Sequence, residues 1–160
     1  MHRLTLTLFL TAVLIAAGCA PATQERTYAV SVDNKLSEPI TVFLTKNGPP
    51  LEDQWLSPTQ LAAGPINRDN LIENFVVIKP GETVGVKKLV GHFQAGTDAV
   101  LQIYERTGRL EDIAAMELDD PRRDDVVLVP GDNAFVVTSD DRGLLVTPVP
   151  YVPDQPTTQP

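Results

Sequence analysis

Apolar and polar residues alternate along much of the chain from residue 27 onward. The clearest runs are Tyr28, Val30 and Val32 and then, after a polar turn at residues 34–38, Ile40, Val42 and Leu44. A period of two residues indicates strands with one buried face. We therefore predict that these two runs pair as a hairpin. Further strands are predicted over residues 75–78, 83–90, 99–104, 126–129, 134–139 and 144–147.

About eight short strands with turn signals between them predict an all-β protein, either a sandwich or a barrel. Two segments share an apolar run followed by Pro-Gly, at Pro80-Gly81 and Pro130-Gly131. Proline followed by glycine predicts type II turns, which we interpret as hairpin turns. The two segments are either copies from a duplicated half-domain or two unrelated hairpins that use the same type of turn. Residues 140–143 predict a further hairpin turn.

Turns of this Pro-Gly kind are common in immunoglobulin-like β-sandwiches, which the chain resembles at this generic level. The resemblance implies a single antiparallel sandwich of about 7 to 9 strands.

A long interruption at residues 47–74 separates the predicted strands. Ser57, Pro58 and Gln60 have the pattern of a helix N-terminus with a capping box, and Gly64-Pro65 would end the helix. The only tryptophan, Trp55, lies beside Leu56 in this insertion. It either packs the insertion onto the sandwich or serves as an exposed anchor. Long loops are often functional, so we predict that Trp55 and Leu56 bind a partner.

Residues 109–118 fit either a short helix or a hairpin, and the sequence leaves both open. From residue 148 onward, repeated prolines predict a disordered tail.

The N-terminus has a basic residue, Arg3, an apolar segment over residues 4–17, and then Gly18-Cys19. A transmembrane anchor would need about 20 apolar residues, more than this segment offers. The other alternative is an ordinary secretory signal with an incidental cysteine.

The run Leu-Ile-Ala-Ala-Gly-Cys ending at Cys19 resembles a bacterial lipoprotein signal, although Ala16 stands where that pattern prefers leucine. The resemblance implies cleavage between Gly18 and Cys19, acylation of Cys19, and attachment to a membrane through acyl chains such as palmitate. Ala20 after the cysteine implies the outer membrane of a bacterium with two membranes.

These features divide the chain into a cleaved signal helix (1–18), a lipidated tether (19–26), a β-sandwich domain (27–147) and the tail (148–160).

The formal net charge of −8 disfavours nucleic acid as a partner, and no cofactor is indicated. Cys19 is the only cysteine, so its acylation would exclude disulfides and thiolate chemistry. With the signal removed, His92 is the only histidine, and no serine lies in a nucleophile-elbow motif. We therefore predict a structural or solvated role for His92.

The densest group of charges lies at residues 119–125. Clustered carboxylates suit calcium, so this segment is a weak metal candidate. Arg122 and Arg123 within it argue instead for a solvated turn. The four candidate carboxylates are Asp119, Asp120, Asp124 and Asp125.

Taken together, these patterns predict a lipid-anchored envelope protein that acts as a non-enzymatic interaction or structural module with an envelope protein partner. A small-ligand or carbohydrate-binding lipoprotein is the first alternative, and an envelope hydrolase is the second.

Overall fold

The computed structural model describes residues 22–64, 75–106 and 110–151, and within them it has two four-stranded sheets packed face to face. The first sheet has the order β4-β1-β7-β8 and the second β3-β2-β5-β6. The predicted signal peptide, Gly18 and Cys19 lie outside the described residues. The elements are β1 (Thr23–Asn34), β2 (Ile40–Lys46), α1 (Pro58–Ala63), β3 (Phe75–Ile78), β4 (Thr83–Gln94), β5 (Ala99–Glu105), α2 (Leu110–Ala114), β6 (Arg123–Val127), β7 (Gly131–Asp140) and β8 (Gly143–Val149).

The predicted all-β sandwich is confirmed, and its core lies between the two sheets. Inward side chains of β1, β2, β5 and β7 meet there, which accounts for the alternation in the sequence. One pairing departs from the antiparallel expectation, because β1 and β7 run parallel. The fully buried core members include Tyr28, Val32, Ile40, Leu44, Leu101, Ile103 and Val137.

The predicted hairpin between β1 and β2 is wrong, because the two strands belong to different sheets. Asn34, at the end of β1, holds the turn through which the chain passes from the first sheet to the second. Its buried side-chain amide donates to the carbonyl oxygens of Glu38 and Ile78 at 2.9 and 3.0 Å, and its Oδ1 accepts from Leu36 N. The turn is therefore bonded to β3 of the second sheet, and β2 starts there.

Both Pro-Gly turns also connect the two sheets, so their interpretation as hairpins is wrong. Gly81 has φ +74°, and Glu82 N donates to Lys79 O at 3.1 Å, as in the predicted type II turn. Gly131 likewise has positive φ. Each turn leads from an edge strand of the second sheet to a strand beside β1. The predicted hairpin turn at residues 140–143 is confirmed by the pairing of β7 with β8.

Helices α1 and α2 cover the outer face of the second sheet, where Phe43, Tyr104, Leu61 and Ile113 form a second apolar cluster. Strand β2 is consequently buried on both faces. The predicted capping box is present, since Gln60 N donates to Ser57 Oγ at 3.3 Å and Ser57 N to Gln60 Oε1 at 2.8 Å. Residues 110–114 adopt the helical alternative of the two that the sequence allowed.

The domain is longer at both ends than the predicted range of 27–147. Residues Thr23 to Arg26 pair with Gly91 to Gln94, so the second half of the predicted tether belongs to β1. At the other end, Pro148 and Val149 belong to β8, so the first two residues of the predicted tail are part of the sheet. Proline is tolerated there because β8 is an edge strand.

Candidate functional site

Trp55, the predicted partner-binding residue, is part of the core. Its side chain is 1% exposed, and its ring makes edge-to-face contacts with Tyr28 and Phe93, at centroid distances of 5.7 and 5.4 Å. Its Nε1 donates to Val90 O at 3.2 Å. Leu56 is half-buried against the second apolar cluster. The exposed-anchor alternative is therefore wrong for Trp55, and partner binding by Leu56 stays a prediction.

The physical reason lies in the path of the chain after β2, which crosses to the free edge of β4. Gln54 Nε2 donates to Val90 O at 2.6 Å, and the Glu52 carboxylate accepts from His92 N at 3.1 Å. Side chains of the loop thus bond to backbone groups of an edge strand, which protects that edge from pairing with another chain. Residues 52–57 belong to the folded domain rather than to a separable insertion.

A buried ion pair holds this loop in place. The Lys46 side chain is 1% exposed, and its Nζ donates to the Glu52 carboxylate and, at 3.0 Å, to His92 O. Nζ also lies 5.2 Å from the centre of the Phe93 ring. Burial alone would raise the pKa of Glu52, but hydrogen bonds from Lys46 and His92 outweigh it, so this pKa is lowered.

Sequence reasoning missed this pair. The sequence signal that could have indicated it is Lys46, a charged residue that directly continues the apolar run of β2.

His92 lies on β4 with its side chain 52% exposed. Its Nδ1 is 2.9 Å from Glu52 Oε1, and its Nε2 is 4.0 Å from Glu25 Oε2. Both ring nitrogens therefore face carboxylates rather than a serine hydroxyl. This geometry suits hydrogen bonding between side chains at the edge of the sheet.

The weak metal candidates are engaged with other partners. The carboxylate of Asp120 binds Arg122 at 2.6 Å, and this hydrogen bond, with one from the Arg122 backbone, lowers the pKa of Asp120 to about 2. Asp125 binds Arg123 at 2.7 Å. Asp124 is its neighbour on β6 and points to the other face of the strand, where Oδ2 accepts from Val146 N at 3.3 Å.

Asp119 lies in the turn before Asp120 and completes the set of four candidates. Among residues 22–64, 75–106 and 110–151, no three Asp, Glu, His or Cys side chains are grouped as a metal site would require.

The end of the sandwich where β1 begins is the part nearest to Cys19 in the sequence. Thr23 pairs with Gln94, and the turn at 95–98 follows directly. Thr97 Oγ1 donates to Pro49 O at 3.3 Å, which places loop 47–51 on one side of this turn. Leu128 N donates to Ala99 O at 2.9 Å, which places residues 128–130 on the other. We call residues 23–24, 47–51, 95–98 and 128–130 the base.

An open groove of about 480 Å³ lies between loop 47–51 and the start of α1. Most of its polar side chains have partners: Lys46 binds Glu52, Asn47 Oδ1 accepts from Asp98 N, and Ser57 and Gln60 cap α1. The groove therefore offers a ligand few free hydrogen-bonding groups.

Comparison with known proteins identifies no family for this chain. No protein-family model matches the chain, and no curated protein matches it. The T6SS lipoprotein TssJ1 from Pseudomonas aeruginosa is 10% identical, with a TM-score of 0.37 over 81% of this chain and 100% of that one. Serratia marcescens Lip, a membrane-bound component of the Type VI Secretion System, is 15% identical, with a TM-score of 0.34 over 79% of this chain and 99% of that one. At these values the similarities carry no argument about function.

In the part of the chain that the structure describes, no helix has the length and apolar character needed to cross a membrane.

Proposed function

We propose that this chain is a lipid-anchored protein of the cell envelope that acts as a non-enzymatic interaction or structural module. The acyl chains are carried by Cys19 after cleavage behind Gly18, and Ala20 favours the outer membrane of a bacterium with two membranes. The observation that carries the proposal is the start of β1 at Thr23, directly behind the lipoprotein-like run that ends at Cys19. The folded domain thus begins almost at the point of attachment.

Several features support a non-enzymatic role. His92 and Glu52 are bonded to each other, Lys46 is buried against Glu52, and Asp120 and Asp125 are paired with arginines. General acid–base catalysis needs a group that can reach a substrate proton, whereas the carboxylates of Glu52, Asp120 and Asp125 are bonded to basic side chains of the domain. Burial of Trp55 also removes the aromatic platform on which the carbohydrate-binding alternative depended. An envelope protein is the partner that this proposal implies.

The anchor is tested with Cys19→Ser, compared with the control Ala22→Ser, which places a serine in the same spacer and keeps the cysteine. We expect the control to enter the detergent phase on phase partitioning and Cys19→Ser to stay in the aqueous phase once its signal is removed. Mass spectrometry of the control should show acyl chains on Cys19. A processed serine variant that still enters the detergent phase would contradict the proposal.

A further inference from the structure

The base carries exposed apolar side chains on both sides of its central turn. Leu51 is 67% exposed on one side, and Val129 is 66% exposed on the other. Next to Val129, Leu128 points into the core, so the alternation directs Val129 outward. Val127, at the end of β6, is exposed as well. Leu51 and Val129 thus leave two large apolar side chains in water at the end of the sandwich that is nearest to Cys19.

The distance from Cys19 limits where this surface can lie. Residues 20–22 alone separate Cys19 from Thr23. At full extension a chain covers about 3.3–3.6 Å per residue, so Thr23 lies within about 14 Å of Cys19. The headgroup layer on one side of a bilayer is itself about 5–8 Å thick. An acylated Cys19 therefore holds Thr23, and with it this end of the sandwich, close to the lipid surface.

We propose that the base rests on the bilayer and that Leu51 and Val129 enter its headgroup region. This inference depends on the proposed acylation of Cys19. It adds a second contact between the protein and the membrane and fixes the orientation of the domain. The opposite end, formed by the turn at 34–39, the type II turn at 79–82 and the hairpin turn at 140–143, then points away from the membrane.

The charges at this end of the molecule indicate which kind of lipid contact is made. Glu25 is 67% exposed and Asp98 is 46% exposed, while Arg26 is mostly buried and lies 3.6 Å from Asp98. Such a surface has no electrostatic attraction to anionic lipids. The contact is therefore apolar, and we expect it to be insensitive to salt and to the anionic lipid content. With so few apolar side chains it cannot replace the acyl anchor.

The test uses the acylated full chain with single cysteines introduced at Leu51→Cys and Val129→Cys. Acylation consumes the thiol of Cys19, so a thiol-reactive, environment-sensitive dye labels the new position alone. The matched control is Leu118→Cys. This position is 77% exposed and precedes β6, which starts beside Tyr104 at the end far from the base. Each labelled protein is placed in phosphatidylcholine vesicles, with and without phosphatidylglycerol, and with a nitroxide-labelled lipid as quencher.

We expect the dyes at the two base positions to shift their emission to the blue and to be quenched by the nitroxide lipid in both kinds of vesicle. The dye at Leu118→Cys should emit as it does in water. Aqueous emission at both base positions in acylated protein would overturn the inference and leave the proposed anchor intact. Apolar emission that occurs in native membranes but not in vesicles would also overturn it, because the contact would then be with a protein. A mass spectrum without acyl chains would refute both proposals.

Discussion

Trp55 allows the sharpest test of whether the segment after β2 belongs to the core or to a binding surface. We compare Trp55→Ala and Trp55→Phe with Leu51→Ala, which truncates an exposed apolar residue of the same segment. If Trp55 were an exposed anchor, truncation would leave stability nearly unchanged and weaken binding. If it is a core residue, truncation must lower the free energy of unfolding substantially.

The magnitude follows from the contacts of the ring. Replacing a buried aromatic residue by alanine costs about 3–5 kcal/mol in total, which for Trp55 includes the loss of two edge-to-face ring contacts. Val90 O keeps its bond from Gln54, so the lost indole N–H leaves no unpaired acceptor. We expect about 4 kcal/mol for Trp55→Ala, against a typical total of about 5–15 kcal/mol for a domain. Trp55→Phe keeps an aromatic ring and should cost about 1–2 kcal/mol.

Urea unfolding followed by far-ultraviolet circular dichroism measures these differences, since both substitutions remove the only tryptophan fluorophore. Leu51→Ala should change the free energy of unfolding by no more than about 0.5 kcal/mol. If Trp55→Ala were equally mild, Trp55 could not be packed against Tyr28 and Phe93, and its role as an exposed anchor would be restored.

Three further predictions concern the same strand edge and the acidic segment. Gly91→Ala should lose about 1–3 kcal/mol, because the added Cβ would lie 2.6 Å from the Trp55 indole nitrogen, whereas Gly85→Ala on the same strand meets nothing within 4 Å. Chemical denaturation measures both losses. Equal losses of stability for Gly91→Ala and Gly85→Ala would show that the Trp55 indole does not lie against Gly91. Since the folded pKa of Glu52 is lowered, its stabilising effect is present above about pH 4.5 and is lost as the pH falls further. Glu52→Gln should therefore be less stable than the unchanged protein at neutral pH, and its free energy of unfolding should change less as the pH falls towards about 3. Parallel pH profiles of the free energy of unfolding for the two proteins would contradict this. Thermal melts in calcium and in chelator should coincide, because carboxylates at 119–125 already bind arginines. A calcium-dependent gain near 2.7 kcal/mol, as for a ligand at about 100 times its Kd, would contradict that assignment.

The strands could be predicted from the sequence because one buried face imposes a period of two. Tyr28, Val30 and Val32 show it, and their inward burial bears it out. Strand pairing could not be predicted in the same way. Pro80-Gly81 has the chemistry of a type II turn whether the turn joins neighbours in one sheet or strands of two sheets. Only the packing of the whole sandwich distinguishes these cases.

The local helix signal was reliable for a related reason. Ser57, Pro58 and Gln60 act within four residues, so their capping geometry does not depend on distant contacts. Trp55, in contrast, is buried because it packs against β4, a strand far along the chain, and the residues next to Trp55 in the sequence do not indicate this packing. Gly91 was the one indirect sign, since glycine inside a strand often marks a close approach by another group.

The parallel pairing of β1 with β7 has a consequence for the order in which the chain can fold. Tyr28 lies opposite Gly131, so β1 can pair with β7 only after a segment roughly a hundred residues further along the chain is present. Contacts of such long range make folding slow, in the range of about milliseconds to seconds. For a chain exported from its N-terminus, as the proposed signal peptide implies, such a delay would help to keep the chain unfolded during transport. The first strand could then complete its sheet only after nearly all of the protein had crossed the membrane.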